Sequence, residues 1–242
     1  MSITAILNCY RRPQNLAAQL QALSNQTIPP DDIWIWKNYH SDNDVIDFNK
    51  LGYKVFNCNF NWKYCGRFAA ACLVDTDFTA ILDDDTIPGN RWFENCLETF
   101  KESPGILGTA GIYLHSNYIY NSHARFGWPS SNPITVEVDL VGHSWFFPAN
   151  YIKHMWMEKP MWANGEDIHF SAMCQIHGGI KTYAPPHPVN DKSLWGSLYG
   201  NELGIDAVAT SRVQNHVKFY HERDECLQKL ISLGWKLKKD RQ

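Results

Sequence analysis

The chain has 242 residues, a formal net charge of −3, and is 44% apolar and 14% aromatic. Such a chain can bury a sizeable core, and its small net charge without a long Lys/Arg run argues against nucleic acid as the main partner. The seven cysteines are scattered and include no Cys-x-x-Cys pair, which indicates reduced thiols rather than a disulfide framework or a zinc site.

The sequence shows no targeting pattern. A six-residue apolar stretch near the N-terminus has no basic region before it, unlike a secretory signal peptide. No apolar run approaches the roughly 18 residues that a transmembrane helix needs. We therefore expect a soluble protein of the cytoplasm, without a membrane span.

The first 85 residues alternate between strand and helix patterns. Strands are predicted over residues 3–7, 32–38, 53–56 and 79–82, and helices over residues 14–23 and 67–74. This alternation indicates an α/β fold with a mostly parallel sheet and helices on both faces. Ligands of such sheets bind beyond the carboxyl ends of the strands. Polar side chains follow three of these ends, at residues 8–11, 38 and 83–85.

The second half has less regular patterns. The predicted elements are strands and turns over residues 117–128 and 133–147, a helix over residues 164–179, a strand over residues 181–184 and an amphipathic helix over residues 226–239. Because no linker composition interrupts the chain, we expect one domain over residues 1–242.

Three consecutive aspartates, Asp83, Asp84 and Asp85, follow an apolar strand. One interpretation is a solvated turn, since Asp is common after strands and Pro88-Gly89 is typical of turns. The other is a site for Mg²⁺ or Mn²⁺, which prefer carboxylate oxygens and bridge to phosphates. Asp83 and Asp85 are two apart on an extended segment and point to the same side, whereas Asp84 points away, toward a ribose or the loop. A cation would neutralise the charge at the strand end.

The chain resembles the nucleotide-sugar-dependent glycosyltransferases of the GT-A fold in five ordered segments: TAILNCYRRPQNL, IWIWKN, NWKYCGRFAAA, AILDDDTIPG and NGEDIHFSA. The most similar patterns are those of exostosin-like enzymes and of small glycosyltransferases of large algal DNA viruses, for which the location would be the host cytoplasm. The resemblance spans residues 3–172. It implies a Rossmann-like, mostly parallel central sheet flanked by helices, with a nucleotide-binding half over residues 1–90 and a mixed acceptor-binding half over residues 91–242.

The resemblance also implies ligands. A Mn²⁺ or Mg²⁺ ion at the Asp-x-Asp motif would bridge the diphosphate of a nucleotide-sugar donor, with a UDP-sugar favoured, and the acceptor would be a glycan or glycoprotein. Donor contacts are implied at Asp83 and Asp84, at Cys9, Tyr10 and Arg11 around the nucleobase, and at Asn38 and Arg67 near base or phosphate.

Residues 165–167, Gly-Glu-Asp, provide the candidate base. Sugar transfer passes through an oxocarbenium-like state, so the leaving diphosphate needs cationic stabilisation and the acceptor hydroxyl needs a base. Glu166 and Asp167 lie in the first turn of a predicted helix, where the dipole favours ionised carboxylates by about 0.3–1 kcal/mol. We expect Asp167 to be the base or the acceptor anchor, with Glu166 second. Acidic residues at a helix start without a catalytic role are the alternative.

The resemblance also implies a third metal ligand from the second half of the chain. His187 is the first choice, ahead of His216 and His143, because prolines on both sides hold its backbone rigid. The following loop has glycines at four-residue intervals over residues 196–204. It is either a lid that excludes water from the site or a surface loop.

Three other classes share parts of this pattern. A haloacid-dehalogenase-type phosphatase would carry Asp-x-Asp on its first strand and a later Gly-Asp-x-x-x-Asp, which the sequence lacks. A nucleotidylyltransferase would need a Gly-rich N-terminal phosphate loop, where this chain has Cys-Tyr-Arg-Arg-Pro. A non-catalytic carbohydrate-binding protein would bind ligand without turnover. Because both carboxylate motifs are present, we expect a metal-dependent glycosyltransferase.

Overall fold

The computed structural model describes residues 1–161, 164–199, 202–203 and 216–241, and only the backbone of His216. The strands in this part of the chain are β1 (Ile3–Cys9), β2 (Asp32–Lys37), β3 (Lys54–Asn57), β4 (Phe78–Leu82), β5 (Gly105–Leu114), β6 (His123–Gly127), β7 (Val136–Val138), β8 (Leu140–Pro148) and β9 (Lys181–Ala184). The α-helices are α1 (Leu16–Ser24), α2 (Gly66–Ala71), α3 (Trp92–Glu102), α4 (Ile152–Met155), α5 (Glu166–Gly178) and α6 (His216–Ser232).

All described strands belong to one mixed sheet. Its order is β3-β2-β1-β4-β8-β5-β9-β7, with β6 paired to β5. The first four strands run parallel, as the alternating pattern predicts, whereas β8 runs antiparallel between β4 and β5. The sheet thereby joins both halves of the chain and places β8 beside the strand that leads into the aspartates.

The helices cover both faces of the sheet because successive side chains of a strand point to opposite faces. Ile3, Ala5 and Leu7 of β1 pack in one apolar cluster with side chains of α1 and α3. Ile6 packs on the other face, in a cluster that includes Phe68 of α2. Two-sided burial explains why β1 is mostly apolar. Its parallel pairing with β4 brings the carboxyl ends of the two strands together.

The C-terminal helix differs from its prediction. It begins at His216 and ends at Ser232, rather than running over residues 226–239. Gly234 has φ +104, a conformation that other residues rarely adopt, and the chain turns there. Helix α3 and strand β5 had no counterpart among the predicted elements. Among the described helices, none combines the length and the apolar character that a membrane crossing requires.

Gly66, the first residue of α2, lies directly against the indole ring of Trp36 on β2. A Cβ atom at this position would overlap the ring. We expect Gly66→Ala to lower the free energy of unfolding by about 1–3 kcal/mol, because the helix and the sheet must separate to accept the methyl group. Urea denaturation measures the effect, with the exposed Ala69→Ser on the same helix as the control, expected to stay within about 0.5 kcal/mol of wild type.

Candidate active site

The turn that carries the three aspartates is held from both sides. The backbone N–H of Asp83 donates to the carbonyl of His143 on β8 (2.9 Å), and the hydroxyl of Thr86 donates to the same oxygen (2.9 Å). On the opposite side, Gln19 of α1 donates to the carbonyl of Asp83 (2.7 Å), and Asn15 donates to that of Asp84 (2.9 Å). The carboxylates are therefore presented on a fixed backbone rather than on a solvated loop.

Asp83, Asp85 and His143 form a group that fits a metal ion. One ligand atom from each lies within 4.8 Å of the other two, the only such grouping found in the described part of the chain. The Nδ1 atom of His143 and the Oδ1 atom of Asp85 are 3.7 Å apart, and both are buried without a hydrogen-bond partner. Two ligands of one divalent ion, each about 2.0–2.2 Å from it, lie about 3–4 Å apart. The separation therefore suits a shared cation better than a direct hydrogen bond.

His187 is not part of this group, which corrects the expected third ligand. Its Nδ1 atom lies 2.8 Å from the carbonyl oxygen of Pro185, and its Nε2 atom accepts a hydrogen bond from the backbone N–H of Gly196 (3.1 Å). Because both ring nitrogens have hydrogen-bond partners within this loop, the fully buried imidazole stabilises the loop that carries it. The imidazole that lies beside Asp83 and Asp85 is instead that of His143. The side chain of His216 and residues 200, 201 and 204 of the expected lid lie outside the described residues.

Burial lowers the pKa of His187 to about 4 from an ordinary 6.5. The unfolded chain therefore binds this proton at a higher pH than the folded protein does. The stability that the neutral, buried imidazole contributes is lost as the pH falls from about 6.5 to about 4. The lowered pKa corresponds to about 3 kcal/mol of the free energy of unfolding. We expect His187→Gln to flatten the pH dependence of urea unfolding in this range and to leave any Mn²⁺ affinity unchanged. A lost Mn²⁺ response in this variant would restore His187 as a ligand.

Two buried arginines face the aspartates. Arg12 lies 2.8 Å from Asp84 and 3.2 Å from Asp85, and Arg67 bridges Asp83 (3.0 Å) and Glu166 (2.9 Å). Burial raises the pKa of Asp84 to about 7, and the charge of Asp85 acts in the same direction against the opposing effect of Arg12. Burial also raises the pKa of Asp83, although Arg67 opposes it. The two arginines thus offset only part of the cost of burying this charge.

Glu166 and Asp167 open helix α5 close to the aspartates. Burial raises the pKa of Glu166 to about 7, with Asp167 acting in the same direction and Arg67 opposing. The Oε1 atom of Glu166 accepts from Arg67, whereas its Oε2 atom is buried without a partner. Both oxygens of Asp167 accept hydrogen bonds, one from the N–H of Ile168 (2.8 Å) and one from Arg223 of α6 (2.6 Å).

The other expected donor contacts divide into accessible and enclosed residues. Tyr10 and Arg11 are partly exposed at the carboxyl end of β1, where a ligand can reach them. Cys9 is buried, which raises the pKa of its thiol to about 12. Asn38 is also buried, and its side-chain oxygen accepts from the backbone N–H groups of Tyr39 (3.2 Å) and Trp62 (2.9 Å). Cys9 and Asn38 are therefore enclosed in the wall of the site, and a donor contact at either residue stays a prediction.

Three residues of the site carry only weak sequence signals. Arg12 is the second arginine of the Arg-Arg-Pro turn and stands beside the predicted Arg11. His143 has φ +64 in β8, a left-handed backbone in a strand that the sequence pattern does not reveal. Arg223 lies on a helix face that reads as ordinary amphipathic sequence. Long-range sheet packing brings Arg12 and His143 to the aspartates, and helix packing brings Arg223 to Asp167.

A mixed sheet with an acidic turn at the carboxyl end of its fourth strand, faced by an acidic helix start, is the architecture of the GT-A glycosyltransferases. The chain matches the family described as glycosyl transferase family 2 over residues 4–157, more than half of its length, and belongs to that family. The match includes the aspartates and ends before Glu166. No curated protein sequence matches the chain.

Solved structures of S. aureus TarS share the fold. TarS residues 1–349 align with a TM-score of 0.54 and 15% identity over 77% of this chain. The same fragment in complex with UDP-GlcNAc aligns with a TM-score of 0.56 and 14% identity over 80% of this chain. The alignments cover 60% of that fragment. None of the comparisons bears on the narrower resemblance to exostosin-like and algal-virus enzymes, which stays a prediction.

Proposed function

We propose that the protein is a metal-dependent glycosyltransferase that moves a sugar, a hexose or a pentose, from a nucleotide-diphosphate donor to a hydroxyl of a glycan or glycoconjugate. Residues 1–90 would bind the nucleotide and residues 91–242 the acceptor. UDP-sugars are the favoured donors, because related folds have been solved with UDP and with UDP-GlcNAc. The seven unpaired thiols agree with a cytoplasmic location.

The observation that carries this proposal is the charge of the site. Five carboxylates meet there: Asp83, Asp84, Asp85, Glu166 and Asp167. Three guanidinium groups face them: Arg12, Arg67 and Arg223. The formal excess is two negative charges when His143 is neutral, which is the charge that one divalent cation offsets. Burial raises the pKa values of Asp84 and Glu166, and the neighbouring charges of Asp85 and Asp167 act in the same direction, as expected for a site with excess negative charge.

Asp83, Asp85 and His143 are the residues that would hold the ion. Two carboxylates with one imidazole suit Mn²⁺, and Mg²⁺ remains an acceptable occupant. Such an ion supplies Lewis-acid stabilisation of the departing diphosphate. Asp84, held by Arg12, keeps the turn in place from the far side. Tyr10 and Arg11 would line the nucleobase pocket.

The protein side of the reaction is a proton transfer. Asp167 would accept the proton of the acceptor hydroxyl as the sugar leaves the diphosphate. Arg67, 3% exposed and in contact with both Asp83 and Glu166, would connect the metal turn to the base turn and keep positive charge near the diphosphate. Burial of these groups would strengthen their electrostatic effect.

A thermal-shift screen tests the proposal. UDP-, GDP-, CMP- and dTDP-sugars are each added with Mn²⁺ and with EDTA. A ligand at a hundredfold excess over its Kd stabilises the native state by about 2.7 kcal/mol. We expect a Mn²⁺-dependent rise in Tm with one nucleotide class, UDP first, and release of the free nucleotide on incubation. If none of the nucleotide sugars raises the Tm in the presence of Mn²⁺, the proposed donor site is wrong.

The second candidate is a non-catalytic carbohydrate-binding protein on the same scaffold. The observation in its favour is that both oxygens of Asp167 already accept hydrogen bonds within the protein. This candidate predicts a Mn²⁺-dependent shift with a nucleotide sugar but no release of nucleotide.

A further inference from the structure

Arg223 contacts the candidate base from a helix that lies outside the family match. Its Nη2 atom donates to Oδ2 of Asp167 (2.6 Å), and its Nη1 atom donates to Oδ1 of Asn164 (3.1 Å). The guanidinium centre lies 4.0 Å from the ring centroid of Tyr120. Arg223 itself is 6% exposed. A planar, buried guanidinium with these three partners has one orientation, and it fixes the carboxylate that it meets.

Helix α6 is attached to the same turn at a second point. The thiol of Cys226, one helical turn after Arg223, contacts the carbonyl oxygen of Gly165 (3.5 Å). Gly165 has φ +92, and a Cβ atom there would lie 2.8 Å from the sulfur of Cys226. Asp224 accepts a hydrogen bond from the backbone N–H of Tyr120 (2.6 Å), so the helix also holds the segment that carries this ring. The Gly-Glu-Asp turn therefore takes its position from α6.

The two oxygens of Asp167 are held differently. Its Oδ1 atom accepts from the N–H of Ile168, the next residue, which any helix start can provide. Its Oδ2 atom depends on Arg223, which is 56 residues away in the sequence. Without Arg223 the side chain keeps its local hydrogen bond and loses the contact that selects its rotamer.

We propose that Arg223 is the positioning residue of this site and holds the carboxylate of Asp167 in the orientation in which it accepts a proton from the acceptor. The inference rests on the proposed function, because it takes Asp167 as the base. Helix α6 is then part of the active site although the family match ends at residue 157. The role is indirect, since the proton moves to Asp167 and Arg223 keeps its own protons.

The charged and titratable groups around Asp167 come from four elements. They are Arg223 and Cys226 of α6, Glu166 of α5, Asp83 after β4 and Tyr120 before β6. Arg223 is the cation in direct contact with Asp167 among them. Substitutions at Arg223 therefore change the surroundings of this carboxylate more than substitutions at the other four positions.

The test uses Arg223→Met, Arg223→Lys and two controls on the same helix. Leu227→Ala removes a buried apolar side chain without touching Asp167, and Glu225→Gln changes an exposed charge. The assay is Mn²⁺-dependent release of UDP from UDP-GlcNAc with water as the acceptor, together with the Kd of UDP-GlcNAc from calorimetry. We expect Arg223→Met to lower kcat about 10- to 100-fold with Kd unchanged within twofold. Arg223→Lys should recover part of the loss, and both controls should keep kcat within threefold.

A double-mutant cycle separates positioning from a structural effect. In the Asp167→Asn background, Arg223→Met should change kcat less than twofold. A 10- to 100-fold fall in kcat in that background, or an equal fall in kcat in Leu227→Ala alone, would overturn the proposal. Hydrogen exchange is a readout without turnover: the amides of residues 165–169 should exchange at least tenfold faster in Arg223→Met than in Glu225→Gln. If wild type shows neither a Mn²⁺-dependent rise in Tm nor nucleotide release with any nucleotide sugar, the proposed function fails, and unchanged exchange would separately show that Arg223 does not hold the turn.

Discussion

Asp167→Asn should lower the rate of sugar transfer by about 10²- to 10⁴-fold and leave donor binding within about twofold of wild type. The amide keeps the shape of the side chain and an oxygen for Arg223, but it cannot accept the proton of an acceptor hydroxyl. The measurement is kcat for UDP release from UDP-GlcNAc with Mn²⁺, beside the Kd of the donor from calorimetry. A fall in kcat with a constant Kd is the signature of a group that acts only in the chemical step.

This substitution also leaves the buried Arg223 without a charged partner, which is itself destabilising by about 3–5 kcal/mol. The assay is therefore run well below the Tm of the variant, and the folded fraction is checked by circular dichroism. Asp75→Asn, an exposed aspartate before β4 at the opposite edge of the sheet, is the matched control and should keep full activity.

Glu166→Gln decides between the two acidic residues of the turn. The unpartnered Oε2 atom of Glu166 and a pKa of about 7 are also properties of a base. If Glu166→Gln loses transfer and Asp167→Asn does not, the roles of the two residues are reversed. If both variants retain transfer, the assignment of the base to this turn is wrong.

Asp85→Asn should abolish metal-dependent nucleotide binding. Asp85 contributes one of the three ligand groups. In other metal sites, loss of a residue that only hydrogen-bonds to a ligand weakens metal affinity by about 10- to 100-fold. Loss of a ligand itself should therefore weaken it by at least about 100-fold. We expect no Mn²⁺-dependent rise in Tm with UDP-GlcNAc in this variant, and no UDP release. Calorimetric titration with MnCl₂ measures the metal affinity directly.

The metal-free form of this variant provides an internal control. Burial acts to raise the pKa of Asp85, but His143 and Arg12 outweigh it, and the pKa is lowered. The charge of Asp85 therefore stabilises the folded state, so the Tm of the variant in EDTA should lie somewhat below that of wild type and sets the baseline for the metal response. His143→Gln should weaken Mn²⁺ binding in the same direction, whereas Asp75→Asn should leave it unchanged. A Mn²⁺ affinity in Asp85→Asn equal to that of wild type would contradict the metal site.

Much of the sheet could be predicted from the sequence. The strands over β1, β2, β4 and β9 follow from local apolar runs and alternation, and these signals depend only on side chains within a few residues of each other. The two carboxylate motifs were visible for the same reason, since each lies within three consecutive residues. The C-terminal helix was misplaced because its amphipathic pattern continues past Ser232, whereas its actual end depends on the conformation at Gly234.

The groups that face the carboxylates were decided by the tertiary structure. Arg12 meets Asp84 across 72 residues, and Arg223 meets Asp167 across 56. His143 faces Asp85 because β8 enters the sheet between β4 and β5, and no local pattern specifies a strand order. The flanking prolines favoured His187 as a ligand, but in the folded protein both of its ring nitrogens make hydrogen bonds within its own loop. The sequence by itself determined which side chains carry negative charge and on which elements they lie. Which cations, and which third ligand, meet that charge was settled only by long-range packing, because such contacts depend on strand order and helix docking rather than on neighbours along the chain.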